Sequence, residues 1–212
     1  MERRVGMKNE AEIKELLISN AIRLIAEGGF EKATSKELTY SGGSLPGIKM
    51  NEVYIYRIFG SKDNLFAAAF AQLDDELFEA FKIGLQQSSG SNPTSKEAIF
   101  AFLEKAWAFV LRNESRCRCY VRYYFSVYFR DHSATAHKQT FSRLVSILSP
   151  AFKEEADVEA ILHSAFISLF DFAIRVYNGE LEDNDLNRPH VFNVIYCMMS
   201  TYFKPSFIGG EA

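Results

Sequence analysis

Side chains that can donate hydrogen bonds to an anion are concentrated between residues 34 and 62. Thr34 and Ser35 stand at the start of a predicted helix, where hydroxyl groups and free backbone N–H groups suit a phosphate. Lys49 lies in the loop that follows and is a further candidate, with an ordinary solvated lysine as the alternative interpretation. These residues predict contacts to phosphate groups.

A short helix predicted just after this loop carries polar groups that can reach base edges or nearby phosphates. Asn51, Glu52, Tyr54 and Arg57 are the candidates. The carboxylate of Glu52 would repel phosphate, but it can accept a hydrogen bond from a cytosine amino group in the major groove. The alternative for Tyr54, and for its neighbour Tyr56, is packing in a local core.

Apolar spacing and helix-ending residues predict the elements that hold these side chains. Ile55, Ile58 and Phe59 give the short helix an apolar face, and Gly60 ends it. Upstream, apolar residues at helical spacing predict a first helix over 9–27, which a pair of glycines ends. The candidate residues therefore belong to a compact group of short helices.

The remainder of the chain is predicted to be helical as well. Thr34 and Glu37 form a capping pair for the second helix, and Ser61 with Asp63 can start a long one. No stretch of the sequence shows strand alternation or an internal repeat. Further helical segments are predicted over 61–85, 95–112, 115–130, 134–152, 157–177 and 190–203.

Composition and charge narrow the class of protein. The chain has 212 residues, of which 48% are hydrophobic, so it can build a sizeable core. Residues 1–62 contain 10 Lys and Arg against 8 Asp and Glu, while residues 63–212 contain 14 against 19. The N-terminal part is therefore the one suited to an anionic partner. Without 18 uninterrupted apolar residues or a signal peptide, the chain is expected to be cytoplasmic.

No catalytic, metal or cofactor motif is evident in the sequence. Cys117 and Cys119, followed by His132 and His137, invite a metal or redox interpretation. Residues two apart on a helix point to different faces, so structural cysteines are the favoured interpretation and a thiol switch the minor one. Phosphate-cradling, zinc-protease and nucleophile-elbow motifs are all missing. We expect a protein that is not an enzyme and binds no metal or cofactor.

Three motifs in order resemble the tetracycline-repressor (TetR) family of bacterial transcription regulators. They are Gly-Gly-Phe at 28–30, Thr-x-x-Glu-Leu at 34–38 and Ile-Tyr-Arg-Ile-Phe-Gly-Ser-Lys-Asp-Asn-Leu at 55–65. The resemblance, which covers residues 12 to 70, implies an all-α fold. It further implies a helix-turn-helix DNA-binding domain over 1–62 and a helical ligand-binding and dimerisation domain over 63–212. Tyr56 and Lys62 match family positions that hold the DNA backbone.

The resemblance also implies a function and partners. The expected protein is a homodimeric, ligand-responsive repressor that leaves a palindromic double-stranded operator when a small apolar or aromatic effector binds. Residues 44–49 enlarge the turn of the helix-turn-helix, and Asn51-Glu52-Val53 replaces the usual start of the recognition helix. These departures favour an alternative, a helical protein-interaction module that has lost sequence-specific DNA binding.

Aromatic residues are dense between 107 and 129, and a subset is predicted to surround the effector. Pockets of this kind combine apolar walls with a few polar tips. Ordinary core packing is the alternative for most of these side chains. The predicted effector residues are Trp107, Tyr124, Tyr128, His163, Phe166 and Phe170.

The last two predicted helices are apolar enough to pair with their copies in a second chain as a four-helix interface. The intrachain core must claim some of the same residues. The predicted interface residues are Leu169, Phe172, Val176, Val191, Ile195, Met198 and Tyr202.

Overall fold

The computed structural model describes residues 2–40, 50–88 and 96–205, and all regular elements in these ranges are helical, which confirms the all-α class. A π-helical turn at Phe129–Ser133 and a 3₁₀ turn at Ser149–Ala151 flank α7. The α-helices are α1 (Glu2–Gly28), α2 (Ser35–Leu38), α3 (Val53–Phe59), α4 (Lys62–Ser88), α5 (Lys96–Arg112), α6 (Glu114–Tyr124), α7 (Ala134–Leu148), α8 (Val158–Tyr177) and α9 (Asn187–Ser200).

The chain forms two compact units whose division differs from the predicted boundary after residue 62. The first unit comprises Met1–Asp74 and Ser115–His137, and the second comprises Asp75–Glu114 and Lys138–Ala212. Helix α6 and the first part of α4 therefore belong with the N-terminal helices.

Aromatic packing explains why α6 joins the first unit. The ring of Tyr123 on α6 stacks on Phe70 of α4, with 4.7 Å between centroids, and Tyr120 stacks on the same ring at 5.0 Å. The guanidinium of Arg122 donates a hydrogen bond of 2.9 Å to the carbonyl of Ile25, near the end of α1. Helix α6 is thus held to both α1 and α4.

The buried carboxylate of Asp74 connects three elements of this unit. Asp74 accepts a 3.2 Å hydrogen bond from the hydroxyl of Tyr120, and its carboxylate lies 2.9 Å from Nδ1 of His137. Burial, and after it the neighbouring Asp74 carboxylate, raise the pKa of Tyr120 well above its ordinary value. The hydroxyl therefore keeps its proton and remains a donor to Asp74.

The predicted helix over 115–130 ends earlier, at Tyr124, because a serine competes for the backbone. Ser126 Oγ donates to the Tyr123 carbonyl at 2.6 Å and accepts from the Phe129 N–H at 3.3 Å. Side chains that bond to nearby backbone groups in this way commonly interrupt a helix. The chain then continues through the π-helical turn into α7.

Helix α8 is the apolar helix of the second unit and packs against α5 and α9. It is long and apolar enough to cross a membrane by length and composition alone, as a core helix also is. Leu162, Ala165, Leu169 and Phe170 are buried on its inner face. At its C-terminal end, the Tyr177 hydroxyl donates 2.7 Å to the carbonyl of Val110 on α5.

Candidate nucleic-acid interface and effector cavity

Helix α2 begins at the predicted cap. Thr34 has extended backbone angles, φ −70° and ψ 156°, and its hydroxyl oxygen accepts a 3.2 Å hydrogen bond from the Glu37 N–H. The Thr34 side chain is exposed and that of Ser35 is half-buried. The hydroxyl proton of Thr34 is not used in the cap, so it is available to a phosphate oxygen.

Asn20 fixes the other end of α2 and was not identified from the sequence. Its amide Nδ2 donates to the Leu38 carbonyl at 2.8 Å and to the Tyr40 carbonyl at 3.2 Å. Asn20 is buried on α1, so this one side chain ties α2 to the longest helix of the unit. A polar residue inside an otherwise apolar helix face was the signal available in the sequence.

Neighbouring residues hydrogen-bond to the backbone at both ends of helix α3. Asn51 Oδ1 accepts from the Val53 N–H at 3.1 Å, and Gly60 ends the helix with φ of 78°. Ile55 is fully buried and anchors the helix to the core of the unit. The Asn64 amide donates 2.8 Å to the Phe59 carbonyl, which joins the end of α3 to the start of α4.

The outer face of α3 is polar and aromatic. The Arg57 guanidinium lies 4.6 Å from the centroid of the Tyr54 ring, a cation–π arrangement that holds both side chains. Tyr56 is 55% exposed, so it is not packed in a local core, whereas Tyr54 is half-buried. Glu52 is exposed and makes no cap hydrogen bond, so its carboxylate is presented outward.

Of the other two predicted DNA-contacting lysines, one lies within the described residues and one lies outside them. Lys62 is the first residue of α4, and its ammonium lies 5.6 Å from the centroid of Phe66. Lys49 and the enlarged loop at 44–49 lie outside the described residues. Val53, which is 65% exposed at the start of α3, was not among the predicted contacts. Its position follows from the helix boundary, which the sequence alone placed only approximately.

A cavity of about 70 Å³ lies inside the second unit. Its walls come from α4, α5, α7, α8 and α9, and they include the rings of Phe81, Phe102 and Phe166. The non-helical segments around Phe152 and Phe203 form a further wall, where the two rings pack with centroids 4.8 Å apart. The two segments are joined by a backbone hydrogen bond of 2.9 Å from Lys153 to Tyr202.

Solved structures share this arrangement of helices over almost the whole chain. A TetR family transcription regulator from Marinobacter aquaeolei VT8 is 13% identical with a TM-score of 0.66, covering 93% of this chain and 98% of its own. A TetR-like transcriptional regulator from Rhodococcus sp. RHA1 is 17% identical with a TM-score of 0.58, covering 88% and 92%. The chain has the TetR fold.

A further structure with the TetR fold is NalD, the secondary repressor of the MexAB-OprM multidrug efflux pump in Pseudomonas aeruginosa. It is 17% identical with a TM-score of 0.59, covering 90% of this chain and 96% of its own. No protein-family model and no curated protein matches the sequence. Because the identities are low, the likeness establishes the TetR fold and leaves function to be argued from the residues.

Within the TetR fold, the six predicted effector residues do not gather around one cavity. Tyr124 and Tyr128 belong to the first unit, where Tyr128 packs on Phe30 with centroids 4.5 Å apart. Trp107 is buried, and its indole N–H donates 2.9 Å to Asp183. The prediction was based on the density of aromatic residues in the sequence. Aromatic residues are dense in the cores of both units as well as around the cavity, so density alone does not locate the cavity.

The remaining effector candidates lie on α8. Phe166 lines the cavity, and its ring meets that of Phe81 edge to face at 4.5 Å. Phe170 is buried beside Phe166, and His163 lies 6.4 Å from the ring of Phe141. Phe166 is thus the member of the predicted set that borders the cavity.

Three residues predicted for a dimer interface are instead part of the chain's own core. Leu169, Val191 and Ile195 are each at most 3% exposed, because they face the interior of the second unit. Two of them, Leu169 and Ile195, line the cavity. The sequence pattern could not separate the two apolar faces of helices that are covered on both sides.

The other predicted interface residues remain accessible. Phe172, Val176 and Met198 are half-buried, and Tyr202 is 45% exposed. Val194, which was not predicted, is 48% exposed and lies one helical turn before Met198 on α9. These side chains are among the apolar groups that α8, α9 and the residues just after α9 can offer to a second chain.

The cysteines and histidines do not assemble a metal site in the described ranges. No group of three His, Cys, Asp or Glu side chains there could hold an ion. Cys117 and Cys119 are both buried. Burial raises the pKa of the Cys119 thiol to about 12, so it is not a thiolate at neutral pH. This disfavours a thiol switch at Cys119.

Proposed function

We propose that this protein is a DNA-binding transcription regulator that acts as a homodimer in the cytoplasm. The observation that carries the proposal is the outer face of α3, which presents Tyr56, Arg57 and Glu52 from a helix capped at both ends. A short, fixed helix with exposed donors and acceptors is suited to the major groove. The TetR fold is consistent with this use.

The residues divide into those that position the helix and those that read bases. Thr34, Ser35 and Lys62 stand at helix starts, where hydroxyl, N–H and ammonium groups can bind phosphate. Asn51 and Glu52 are candidates for base edges, although the amide oxygen of Asn51 is already used in capping. Arg57 is a candidate for a base edge or a nearby phosphate. The exposed methyl groups of Val53 are suited to a thymine methyl group.

Dimerisation follows from the size of the reading element. Helix α3 has seven residues and can contact only a few base pairs, so two copies on an inverted repeat are needed for specificity. Exposed Val194 and half-buried Met198 on α9, with half-buried Phe172 and Val176 on α8, supply accessible apolar surface for a two-fold interface. We propose these four residues as its centre.

Effector binding is proposed at the cavity of the second unit. Helix α4 contains both Lys62, a candidate phosphate contact, and Phe81 with Leu85, which line the cavity. A change in the cavity that shifts α4 can therefore change the placement of Lys62. An effector releases the operator only if it binds the released conformation more tightly than the DNA-bound one. We therefore propose that the protein is a repressor. We also propose that it has no enzymatic activity.

The alternative function is a helical protein-interaction module. The exposed side chain of Val53 and the carboxylate of Glu52 at the start of α3 are the observations that favour it. The apolar side chain of Val53 beside the carboxylate of Glu52 could contact the surface of another protein as well as it could contact DNA. Under this alternative, the chain should not retain any duplex more strongly than a carrier protein does.

Retention of a random duplex pool tests the DNA-binding proposal. The full chain is compared with the Tyr56→Ala, Arg57→Ala double variant and with Lys82→Ala, whose lysine pairs with Glu79 in the second unit. We expect the wild type and Lys82→Ala to retain duplex equally and the double variant to lose most of it. Equal retention by all three chains would contradict the assignment of α3.

A second experiment tests effector release. Compounds that raise the melting temperature of the chain are selected first, because stabilisation reports binding to the folded state. Their effect on duplex affinity is then measured by fluorescence anisotropy. We expect at least one such compound to weaken DNA binding. If every stabilising compound leaves the affinity unchanged, the cavity does not control DNA binding.

A further inference from the structure

The cavity of the second unit has a wall made almost entirely of apolar surface. All seventeen described residues that line it are aliphatic, aromatic or methionine, and none carries a nitrogen or oxygen atom in its side chain. In the described ranges, no buried side-chain nitrogen or oxygen lacks a hydrogen-bond partner. The side chains of the wall therefore offer no nitrogen or oxygen donor or acceptor to a ligand.

This chemistry discriminates against charge. An ionised carboxylate or ammonium that enters such a space loses its hydration and gains no partner, so it is disfavoured far more than an uncharged group of the same size. A purely apolar skeleton instead gains from burial in proportion to its area. The wall is thus suited to the neutral member of any pair of ligands that differ in ionisation.

The present volume is too small for an aromatic ligand. A cavity of about 150 Å³ holds benzene, whereas this one is about 70 Å³. One of the lining rings must therefore move. Phe102 packs closely on α4, since a Cβ built at Gly84 would lie 3.3 Å from its ring, and Phe81 is almost fully buried. Of the five rings in the wall, Phe102 and Phe166 are half-buried and the other three are buried. Phe166 is the half-buried ring that is not packed against Gly84, so it is the ring that we expect to move.

We propose that this cavity binds uncharged, hydrocarbon-like molecules, excludes the ionised forms of the same skeletons, and has Phe166 as the side chain that sets ligand size. The proposal deepens the function above, because it names the chemical class of the effector and rests on the effector site being this cavity. A ligand of this class binds only a widened state of the second unit. Binding is therefore linked to a conformational change.

Three naphthalene compounds test the charge rule with one skeleton. Naphthalene, methyl 2-naphthoate and 2-naphthoate are titrated against the full-length chain at pH 8, and binding is measured by calorimetry and by thermal stabilisation. The acid is ionised at this pH, while the larger ester is neutral. We expect naphthalene and the ester to bind and the carboxylate to bind at least about 100-fold more weakly.

Two variants test the size rule. Phe166→Leu removes the ring but keeps an apolar side chain, and we expect about tenfold tighter binding of the ester. Phe100→Ala is the control, because Phe100 is a half-buried ring on α5 that packs on Phe192 and does not border the cavity. It should leave the affinity of all three compounds unchanged if it folds, which a circular dichroism melt verifies.

Several outcomes would overturn the proposal. Equal binding of ester and carboxylate would show that charge is not excluded, and binding of naphthalene alone would show that size decides. If Phe166→Leu has no more effect than Phe100→Ala, Phe166 does not set the size. If no compound binds the wild type or Phe166→Leu, the cavity is not the ligand site. DNA binding is judged separately by duplex retention, so its failure is distinguishable from each of these results.

Discussion

Arg57 and Lys62 are the two predicted DNA-contacting cations within the described residues, and each is held by an aromatic ring. Arg57 lies over Tyr54, and Lys62 lies near Phe66. Such contacts restrict a long side chain and lower the entropy lost when it binds phosphate. The residue types were evident from the sequence. The ring contacts were not, because they depend on rotamers and on helix geometry.

Salt dependence of DNA binding tests these two cations. Each phosphate contact contributes about 0.9 to the slope of log affinity against log salt concentration. We expect Arg57→Ala and Lys62→Ala each to reduce the slope by about this amount if the residue binds phosphate. Lys82→Ala serves as the control. An unchanged slope for Lys62→Ala would exclude a phosphate contact there.

Asn20 is predicted to matter for stability and for the placement of α2. Asn20→Ala leaves two carbonyl groups without their donor and should lower the free energy of unfolding by about 1–3 kcal/mol. Chemical denaturation measures the change. Ser19→Ala, at the exposed neighbouring position, should change it by less than about 0.5 kcal/mol. Equal effects of the two substitutions would contradict the role of Asn20.

At the scale of elements, the sequence predicted where helices occur more accurately than it predicted the residues at which they begin and end. Periodic apolar residues and caps at Thr34 and Gly60 located the short helices. The π-helical turn was missed because it depends on local side-chain bonding of Ser126. Helix α9 begins at Asn187 rather than His190, since Asn184 Oδ1 accepts from the Asn187 N–H at 2.9 Å.

Hydrogen bonds to the Asp183 carboxylate hold the segment between α8 and α9 in place. Asp183 accepts hydrogen bonds from the Trp107 indole and from the Arg188 guanidinium, the latter at 3.0 and 3.1 Å. Burial alone would raise the pKa of the Asp183 carboxyl, but the hydrogen bonds and the charge of Arg188 outweigh it. The pKa therefore lies below its ordinary value of 3.8. The ionised carboxylate stabilises the folded chain above pH 3.8, and this contribution is lost as the pH falls through the lowered pKa.

Asp183→Asn tests this dependence on pH. We expect the variant to be less stable than the wild type at pH 7, with a difference that shrinks as the pH falls below 4, measured by urea denaturation. Asp171→Asn, on the exposed face of α8, is the control and should show little difference at either pH. A constant difference between Asp183→Asn and wild type across this range would rule out ionisation of Asp183 as the cause.

At the scale of the whole molecule, the sequence predicted the all-α TetR fold. It did not predict which apolar side chains belong to the core, which line the cavity and which lie at the surface. Leu169 and Ile195 were predicted for the dimer interface and line the cavity instead. Tyr124 and Tyr128 were predicted for the effector site and pack in the first unit. Local periodicity identifies an apolar face, whereas its partner is decided by the tertiary arrangement.

Dimerisation is predicted to depend on the accessible apolar side chains of α8 and α9. Val194→Glu places a charge beside Met198 and should raise the dimer dissociation constant at least about tenfold, measured by analytical ultracentrifugation. Ile83→Glu is the matched control, because Ile83 has almost the same exposure, 47% against 48%. If both variants remain dimeric at the wild-type concentration, the interface lies elsewhere.

The most direct test of the central claim is the sequence of the DNA that the chain selects from random duplexes. A dimer that reads DNA with two copies of α3 must enrich an inverted repeat, whose half-sites are separated by about one helical turn or a multiple of it. Two chains should be bound per enriched duplex. Enrichment of no sequence, or of a single unrepeated site bound by one chain, would contradict the account.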